Sequence, residues 1–376
     1  MIRNFYFDRV LFIAFFVLMI LGLIFVYSAT SIPSLINHKD PFLYLKREVV
    51  WLFIGFIAMI GAYLTPVETL KKIAYPLALL TIALLVIVLI MPANINGLSV
   101  KRWIDLGFAR FQPSELAKLS VILFLAYFIS RKENDEKFLK SWTAIFVALS
   151  FPTVVIALIL IEPHKGAAIF IAVLTFLVMF SSRLSTLKVM VFPILATPVF
   201  IYVIMFSHYA HKRIEAMLDP IANRSGVSYQ VFQSILAFVK GGLTGEGIGG
   251  GTQKLKYLPE IHTDYIFALI GEEAGFIGAV LIIGIFLVIL YRGIKISLDL
   301  DDTFSQILGV GLTYLIVLQA LMHMAVNSSI FPPTGFTLPF ISYGGSSLLI
   351  MAISAGILLR LSKEPKKSIY KRSVIS

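Results

Sequence analysis

KLKYLPEIHTDYIFALIGEE, residues 254–273, places four ionisable side chains around an apolar core. His262 and Asp264 precede the aromatic and aliphatic run Tyr265 to Ile270, and Glu272 and Glu273 follow it. A carboxylate where an apolar helix begins is costly in a membrane, and such groups mark function. The composition around it decides the class. Hydrophobic residues make up 58% of the 376-residue chain and charged residues 14%, with a mean hydropathy of +0.90. A soluble domain would carry roughly a quarter charged residues. The chain therefore reads as an integral, all-α, polytopic membrane protein, long enough for about ten spanning helices of about 20 residues each.

Ten spans are expected, near 9–29, 48–64, 73–91, 112–130, 142–161, 166–181, 187–206, 264–291, 304–327 and 343–361. No soluble domain interrupts them, so residues 1–376 form a single membrane domain. A large outer loop runs from about 207 to 263 and a short tail from about 362 to 376. The first apolar run, Val10–Val26, is long enough to span and lacks a small-residue cleavage site, so it reads as a span and not a signal peptide. No internal repeat is visible, which leaves a transporter of inverted halves unsupported. Within the outer loop, SYQVFQSILAFVKGG (228–242) sets Tyr229, Phe232, Ile235, Leu236 and Val239 at helical spacing, as in an amphipathic interfacial helix. GGLTGEGIGGGTQ (241–253) follows as a glycine-rich turn.

Ten spans put both termini on one side, and Lys and Arg are biased towards that side, which the positive-inside rule makes cytoplasmic. The bias is diluted because the outer loops are themselves basic, with Lys101, Arg102, Arg110, Lys165, Lys212, Arg213, Lys254 and Lys256. Two readings stand for these: solvated loop charge, or an outward-facing anion site. The net charge of +11 suits anionic lipid or a phosphate-bearing substrate. Nucleic acid is disfavoured, since no basic run is interleaved with exposed aromatics. The absence of cysteine excludes disulfides, zinc–thiolate sites, iron–sulfur clusters and a thiol nucleophile. The six histidines show no metal-ligand spacing. Gly245, Gly247 and Gly250 match G-x-G-x-x-G by letter, but no strand precedes them.

Three further polar clusters fall on the outer side. In KRWIDLGFARFQPSELAK (101–118), Pro113 suits a helix start and Glu115 sits where a capping carboxylate belongs. Glu115 and Lys118 share a face at i, i+3, either as a structural ion pair or as a polar cavity wall. In IEPHKGAA (161–168), Glu162 closes one span before a tight turn, either a plain hairpin or part of a site. NSSIFPPTGFTLPFISYGGSS (327–347) reads as a simple outer loop or as a ligand-lining re-entrant segment. The convergence of all four stretches on one side points to one outward-facing site for an amphiphile with an anionic head, such as a phosphate, and a lipid tail.

These stretches resemble the SEDS family, the FtsW/RodA peptidoglycan polymerases, over nearly the whole chain. KLKYLPEIHTDYIFALIGEE, GFTLPFISYGGSS and VYSAT (26–30) look more like the division branch, FtsW, than like RodA. Thr334 in PPTG departs towards RodA. IEPHKGAA departs from the usual E/Q-P-D-x-G-T, with His164 replacing the acid and Ala167 the threonine, so no role of that acid carries over. The resemblance implies ten transmembrane helices and polymerisation of lipid II disaccharides into β-1,4 glycan outside the cytoplasmic membrane. It makes Asp264 the catalytic carboxylate, the general base on a sugar 4-hydroxyl. Arg102, Lys118, Lys254 and Lys256 would offset charge on the lipid pyrophosphate. Gln112, Ser114, Glu115, Glu162, His262, Ser342, Gly344 and Gly345 would line the substrate site. A divalent cation, Mg or Mn, is the one cofactor implied, with its ligands unassigned and no organic cofactor. The partners implied are lipid II, a class B penicillin-binding protein transpeptidase and other divisome or elongasome membrane proteins. A lipid II flippase and a recruiting scaffold are the competing readings, and a general base at Asp264 is what neither of them needs.

Overall fold

The structure is a computed structural model describing residues 7–91, 102–105, 107, 110–162, 164–206, 208–220, 226–255 and 257–364. Thirteen helices appear among these residues: α1 (Arg9–His38), α2 (Leu43–Leu64), α3 (Val67–Ile90), α4 (Pro113–Arg131), α5 (Glu136–Leu139), α6 (Trp142–Ile161), α7 (Lys165–Phe180), α8 (Thr186–Phe206), α9 (His208–Leu218), α10 (Gly226–Gly241), α11 (Ile266–Asp299), α12 (Thr303–Asn327) and α13 (Gly345–Leu361). A two-residue hairpin, β1 (Ile104–Asp105) with antiparallel β2 (Arg110–Phe111), leads into α4.

Seven of these helices (α1, α2, α3, α4, α6, α11 and α12) are long and apolar enough to cross a membrane. Three shorter apolar stretches, Lys165–Phe180, Thr186–Leu195 and Gly345–Leu361, occupy the expected sixth, seventh and tenth spans. The centre is set by α4 and α12, whose apolar windows are 83% buried, against 22% for α2. Both are mostly apolar but also bury polar side chains, among them Glu115 and Lys118 on α4 and Gln319 and Asn327 on α12.

Several expected boundaries were too short. α1 runs 30 residues, to His38 rather than 29, which is about 45 Å against a hydrocarbon core of about 30 Å. Its last turns are polar enough to project beyond the apolar layer, and hydropathy registers only the layer. α2 and α3 likewise begin earlier than expected, and α11 continues to Asp299. The stretch expected as an outer loop with one amphipathic helix holds two helices, α9 and α10. Phe238 of α10 packs against Phe267 of α11, with ring centroids 5.6 Å apart.

The glycine-rich stretch is more than a turn. At Gly275 (φ 67, ψ −168) α11 breaks. That backbone region is open essentially to glycine alone. In a continuous helix, Phe276 N–H would donate to the Glu272 carbonyl and Ile277 N–H to that of Glu273. Here the loop is spliced into that ladder. Phe276 N–H donates to Gly242 O (2.9 Å) and Ile277 N–H to Leu243 O (3.2 Å). Glu246 N–H donates to Glu272 O and Gly247 N–H to Glu273 O, both at 3.0 Å. Every group freed at these two rungs is satisfied, which is the condition for tolerating a broken helix in a membrane protein.

Residues 328–344 are irregular, yet Leu338, Phe340 and Ile341 are buried. The Phe340 ring meets Phe15 of α1 at 5.3 Å. Backbone of this kind, enclosed by helices, matches the re-entrant reading of the stretch and not the simple outer loop.

Candidate active site

Asp264 sits at the end of a segment coiled by local turns. Leu258 N–H donates to Gln253 O (3.0 Å) and Asp264 N–H to Glu260 O (3.0 Å). Leu258, Ile261 and Tyr265 anchor the coil by burial against Ala237 and Leu269. Asn327, the last residue of α12, ties it to the helices. Its Nδ2 donates to the carbonyls of Asp264 and His323, both at 2.9 Å, and its Oδ1 accepts from Ala268 N–H at 3.0 Å. On the other flank Ser342 Oγ donates to Thr263 O (2.7 Å), and Tyr343 N–H donates to His262 O (2.9 Å). The carboxylate is thus fixed from both flanks through main chain.

Gly335 (φ 77) lies against the carboxylate: a Cβ built there would be 3.4 Å from Asp264 Oδ2. Burial first, and then the charge of Glu260, push the Asp264 carboxyl up to about 6, against the Thr263 hydrogen bond and the positive charge of Arg213. Burial pushes the His262 imidazole down, with Glu260 opposing. The His262 ring lies 5.4 Å from Tyr44 and 5.7 Å from Tyr343. Arg47 hydrogen-bonds Tyr343, and Glu48, one residue on, is fully buried with no hydrogen-bond partner on either carboxylate oxygen.

The basic side of the site is built around α4. Lys118, fully buried, donates to Glu115 Oε1 (2.6 Å) and Gln319 Oε1 (2.7 Å), and its Nζ lies over the rings of Phe170 (5.1 Å) and Phe336 (5.4 Å). Gln319 Nε2 in turn donates to the Thr337 carbonyl (3.1 Å) and Ser347 Oγ (3.1 Å). The expected Glu115–Lys118 pair is therefore present, but the cap is not. The N-cap of α4 receives no side-chain bond, Glu115 Oε1 is taken by Lys118, and Oε2 has no partner. Pro113 does occupy the first turn.

Around the start of α7, Gln112 Nε2 lies 3.4 Å from His164 Nδ1, and Arg102 Nε donates to Glu162 O at 3.5 Å. Burial, then the charges of Arg102, Lys118 and Arg213, push His164 down to about 3. Burial pushes Glu162 up to about 8 with Arg102 opposing, and neither of its carboxylate oxygens has a hydrogen-bond partner. Arg213, on α9, also hydrogen-bonds the Pro333 carbonyl. Three cations thus act on one neutral imidazole, and one of them, Arg213, acts on Asp264 as well. One buried cation, Lys118, and two half-buried ones, Arg102 and Arg213, placed together in this way suit a group on which negative charge develops.

The residues expected in the site divide three ways. Arg102, Gln112, Glu115, Lys118 and Glu162 come together, and Asp264 and His262 join them through Arg213 and residues 333–337. Ser114 is buried beside them with no partner on its hydroxyl. Ser342, expected to meet substrate, spends its hydroxyl on Thr263 O and Leu338 N–H. Gly345 receives the Trp51 ring where a Cβ would stand, and Gly344 sits 3.2 Å (again from a built Cβ) from the Thr337 methyl. These three shape the site through packing. Lys254 does not reach it: it is buried and paired with Glu273 at 2.7 Å. Lys256 and Lys101 lie outside the described residues.

Missed by the sequence reading were Arg213 as a site residue, Gln319, Asn327 and the Tyr44, Arg47, Glu48 group. Gln319 and Asn327 were discoverable as lone polar residues within an apolar helix. For the α2 group the signal was the charge pair Arg47–Glu48 at the mouth of a span.

Comparison with known proteins agrees with this architecture. A family model described as a cell cycle protein, FtsW/RodA/SpoVE, matches residues 8–367. "Probable peptidoglycan glycosyltransferase FtsW" of Trichlorobacter lovleyi is 36% identical over 356 residues, 95% of this chain and 93% of that protein. Its namesake in Escherichia coli O6:H1 is 35% identical over 368 residues, covering 96% and 87%. Among solved structures, "Structural coordination of polymerization and crosslinking by a peptidoglycan synthase complex" aligns at TM-score 0.77 and 25% identity over 95% of this chain and 98% of that one. A mutant of the Rod shape determining protein RodA from Thermus thermophilus aligns at 0.68 and 25%, covering 96% and 99%. With a family model spanning nearly its whole length and FtsW relatives above 30% identity, the chain belongs to the FtsW/RodA/SpoVE (SEDS) family and is FtsW-like.

Proposed function

We propose that this protein is a peptidoglycan glycosyltransferase that polymerises lipid II, with Asp264 as its general base. The observation that carries the reading is a half-buried carboxylate, held by main chain on both flanks and raised to about 6, beside a basic wall of buried Lys118 and half-buried Arg102 and Arg213. A sugar 4-hydroxyl is a poor nucleophile until a base takes its proton. A carboxylate near 6 is ionised at neutral pH yet basic enough to accept it. Arg102, Lys118 and Arg213 are read as offsetting the charge that grows on the departing lipid pyrophosphate. Glu162, neutral through burial, can donate a hydrogen bond to the same group. Direct displacement at an α-linked donor inverts it to the β-1,4 link.

A Mg or Mn ion is proposed to arrive on the pyrophosphate. Among the described residues no group of three or more His, Cys, Asp or Glu side chains is placed to hold a metal, and no step above depends on one. We further propose ten crossings with both termini cytoplasmic, work at the division septum, and a class B penicillin-binding protein as partner. Support for the partner comes from the peptidoglycan synthase complex that this chain resembles.

The test is a polymerisation assay with purified protein, its transpeptidase partner, lipid II and a divalent cation, with strands resolved by gel. Strands from the native chain and none from a folded Asp264→Asn variant are expected. No strands from the native chain under these conditions, together with lipid II movement across vesicles, would favour a flippase instead.

A further inference from the structure

We infer that Lys254, Glu273 and Ser28 are positioning residues for Asp264, acting through the break in α11. The inference rests on the reading of Asp264 as the base. Three observations carry it, none of them at the site itself.

The first is the splice at Gly275. The half-helix that Asp264 precedes, residues 266–274, is uncoupled from the rest of α11 at two rungs of its ladder and coupled instead to residues 242–247. Its position is therefore set by the loop. Gly245, at φ 80, stands so close to the Glu273 carbonyl that a Cβ there would overlap it, so the seam has no slack.

The second is the clamp that locks the loop. Lys254 Nζ donates to Glu273 Oε1 (2.7 Å), Ser28 Oγ (3.0 Å) and the Gly249 carbonyl (2.6 Å). Ser28, in VYSAT of α1, lies 2.6 and 2.8 Å from the two Glu273 oxygens. Glu272, beside it, accepts from Thr252 N–H (2.9 Å), Thr252 Oγ (3.0 Å) and Gln253 N–H (3.1 Å). Lys254, Glu272 and Glu273 are each at most 3% exposed. Breaking a buried pair by removing one partner is far more disruptive than replacing both.

The third is connectivity. Lys254 opens the coil that ends at Asp264, and Asn327 holds the other end. With the Lys254 clamp released, Glu272 still holds Thr252 and Gln253, but the start of the coil loses its ties to Glu273 and to Ser28 of α1, and the carboxylate shifts in register against Arg213 and Gly335. Placement errors of about 1 Å cost catalysis heavily while leaving binding largely intact. The buried cation that sequence reading assigned to the pyrophosphate thus serves the base instead.

The experiment compares the native chain, Lys254→Met/Glu273→Gln, Ser28→Ala and Asp264→Asn, each with the partner present, by melting, steady-state kinetics and pH profile. The double variant removes both charges together, so its melting should stay within a few degrees of native. Its kcat should fall about tenfold or more with KM within about twofold, and the acid limb of its profile should leave the native midpoint. Ser28→Ala keeps the ion pair and should lose about threefold in kcat in the same pattern, which serves if the double variant fails to fold. Native kcat and native midpoint in a folded double variant, or in Ser28→Ala, beside an inactive Asp264→Asn, would overturn the inference alone. Full activity in Asp264→Asn would instead overturn the base reading, and the positioning role with it.

Discussion

Asp264 is worse for the fold than the amide that could replace it, as the proposed base role requires. Its carboxyl, near 3.9 in an unfolded chain, is raised to about 6 by burial and Glu260. Between those values the folded state binds more protons than the unfolded, so stability falls as pH rises from about 4 to about 6 and then levels. Asp264→Asn removes that cost. The variant should melt no lower than native at neutral pH while polymerisation drops by about a hundredfold or more. A thermal melt read beside a gel assay checks both halves. For the native chain, kcat/KM should rise with pH through a midpoint near 6. A flat profile between about pH 5 and pH 8 would exclude a base with this environment. Lys118 offers a second test. Lys118→Met strands the Glu115 carboxylate in a buried site and should cost about 3–5 kcal/mol, most of it returned by adding Glu115→Gln. Chemical or thermal unfolding in detergent measures the difference, and activity should stay low in both.

At the scale of elements, two short pieces carry unusual weight. α9 carries Arg213, whose charge acts on both Asp264 and His164. Arg213→Ala should lower kcat/KM by about tenfold or more. Replacement by Lys should restore little, since a guanidinium and an ammonium differ in how they meet phosphate and carbonyl groups. The break in α11 is the other piece. Gly275→Ala forces a side chain into a glycine-only conformation and towards Leu243 O, 2.5 Å from the built Cβ. It should cost about 1–3 kcal/mol by strain alone. A melting point equal to native would mean that the helix runs straight through this position.

For the whole molecule, the arrangement ties a basic site to a frame of apolar helices. The two central helices, α4 and α12, each contribute to the site's chemistry: Lys118 and Glu115 from one, Gln319 and Asn327 from the other. The site is therefore built on the most enclosed part of the frame, where positions are least free to drift. Ten crossings would put residue 39 outside and residue 133 inside. The native chain has no cysteine, so single-cysteine variants report topology without background. Lys39→Cys should react with a membrane-impermeant maleimide in intact cells, and Glu133→Cys only after the membrane is opened. The reverse pattern would invert the topology.

Much of this was written in local sequence. Hydropathy determined the class and the positions of the helices, because lipid leaves a backbone few other options. The i, i+3 spacing of Glu115 and Lys118 determined their pairing, since helix geometry is the same everywhere. Asp264 stood out as a carboxylate where an apolar helix begins, and the resemblance to the SEDS family singled it out as the catalytic one. What local sequence could not decide was which partner each charge would choose. Lys254 has the same outer-loop context as Arg102, yet one turns to Glu273 and Ser28 and the other towards Glu162 and His164. The choice depends on residues 19 to 226 positions away in the chain. The same holds for Asn327 at Asp264 and for the loop spliced into α11. Only the tertiary structure brings those groups within hydrogen-bond reach, and in a low-dielectric interior it is that reach, more than the residue type, that decides which charges are paired and which are left to act.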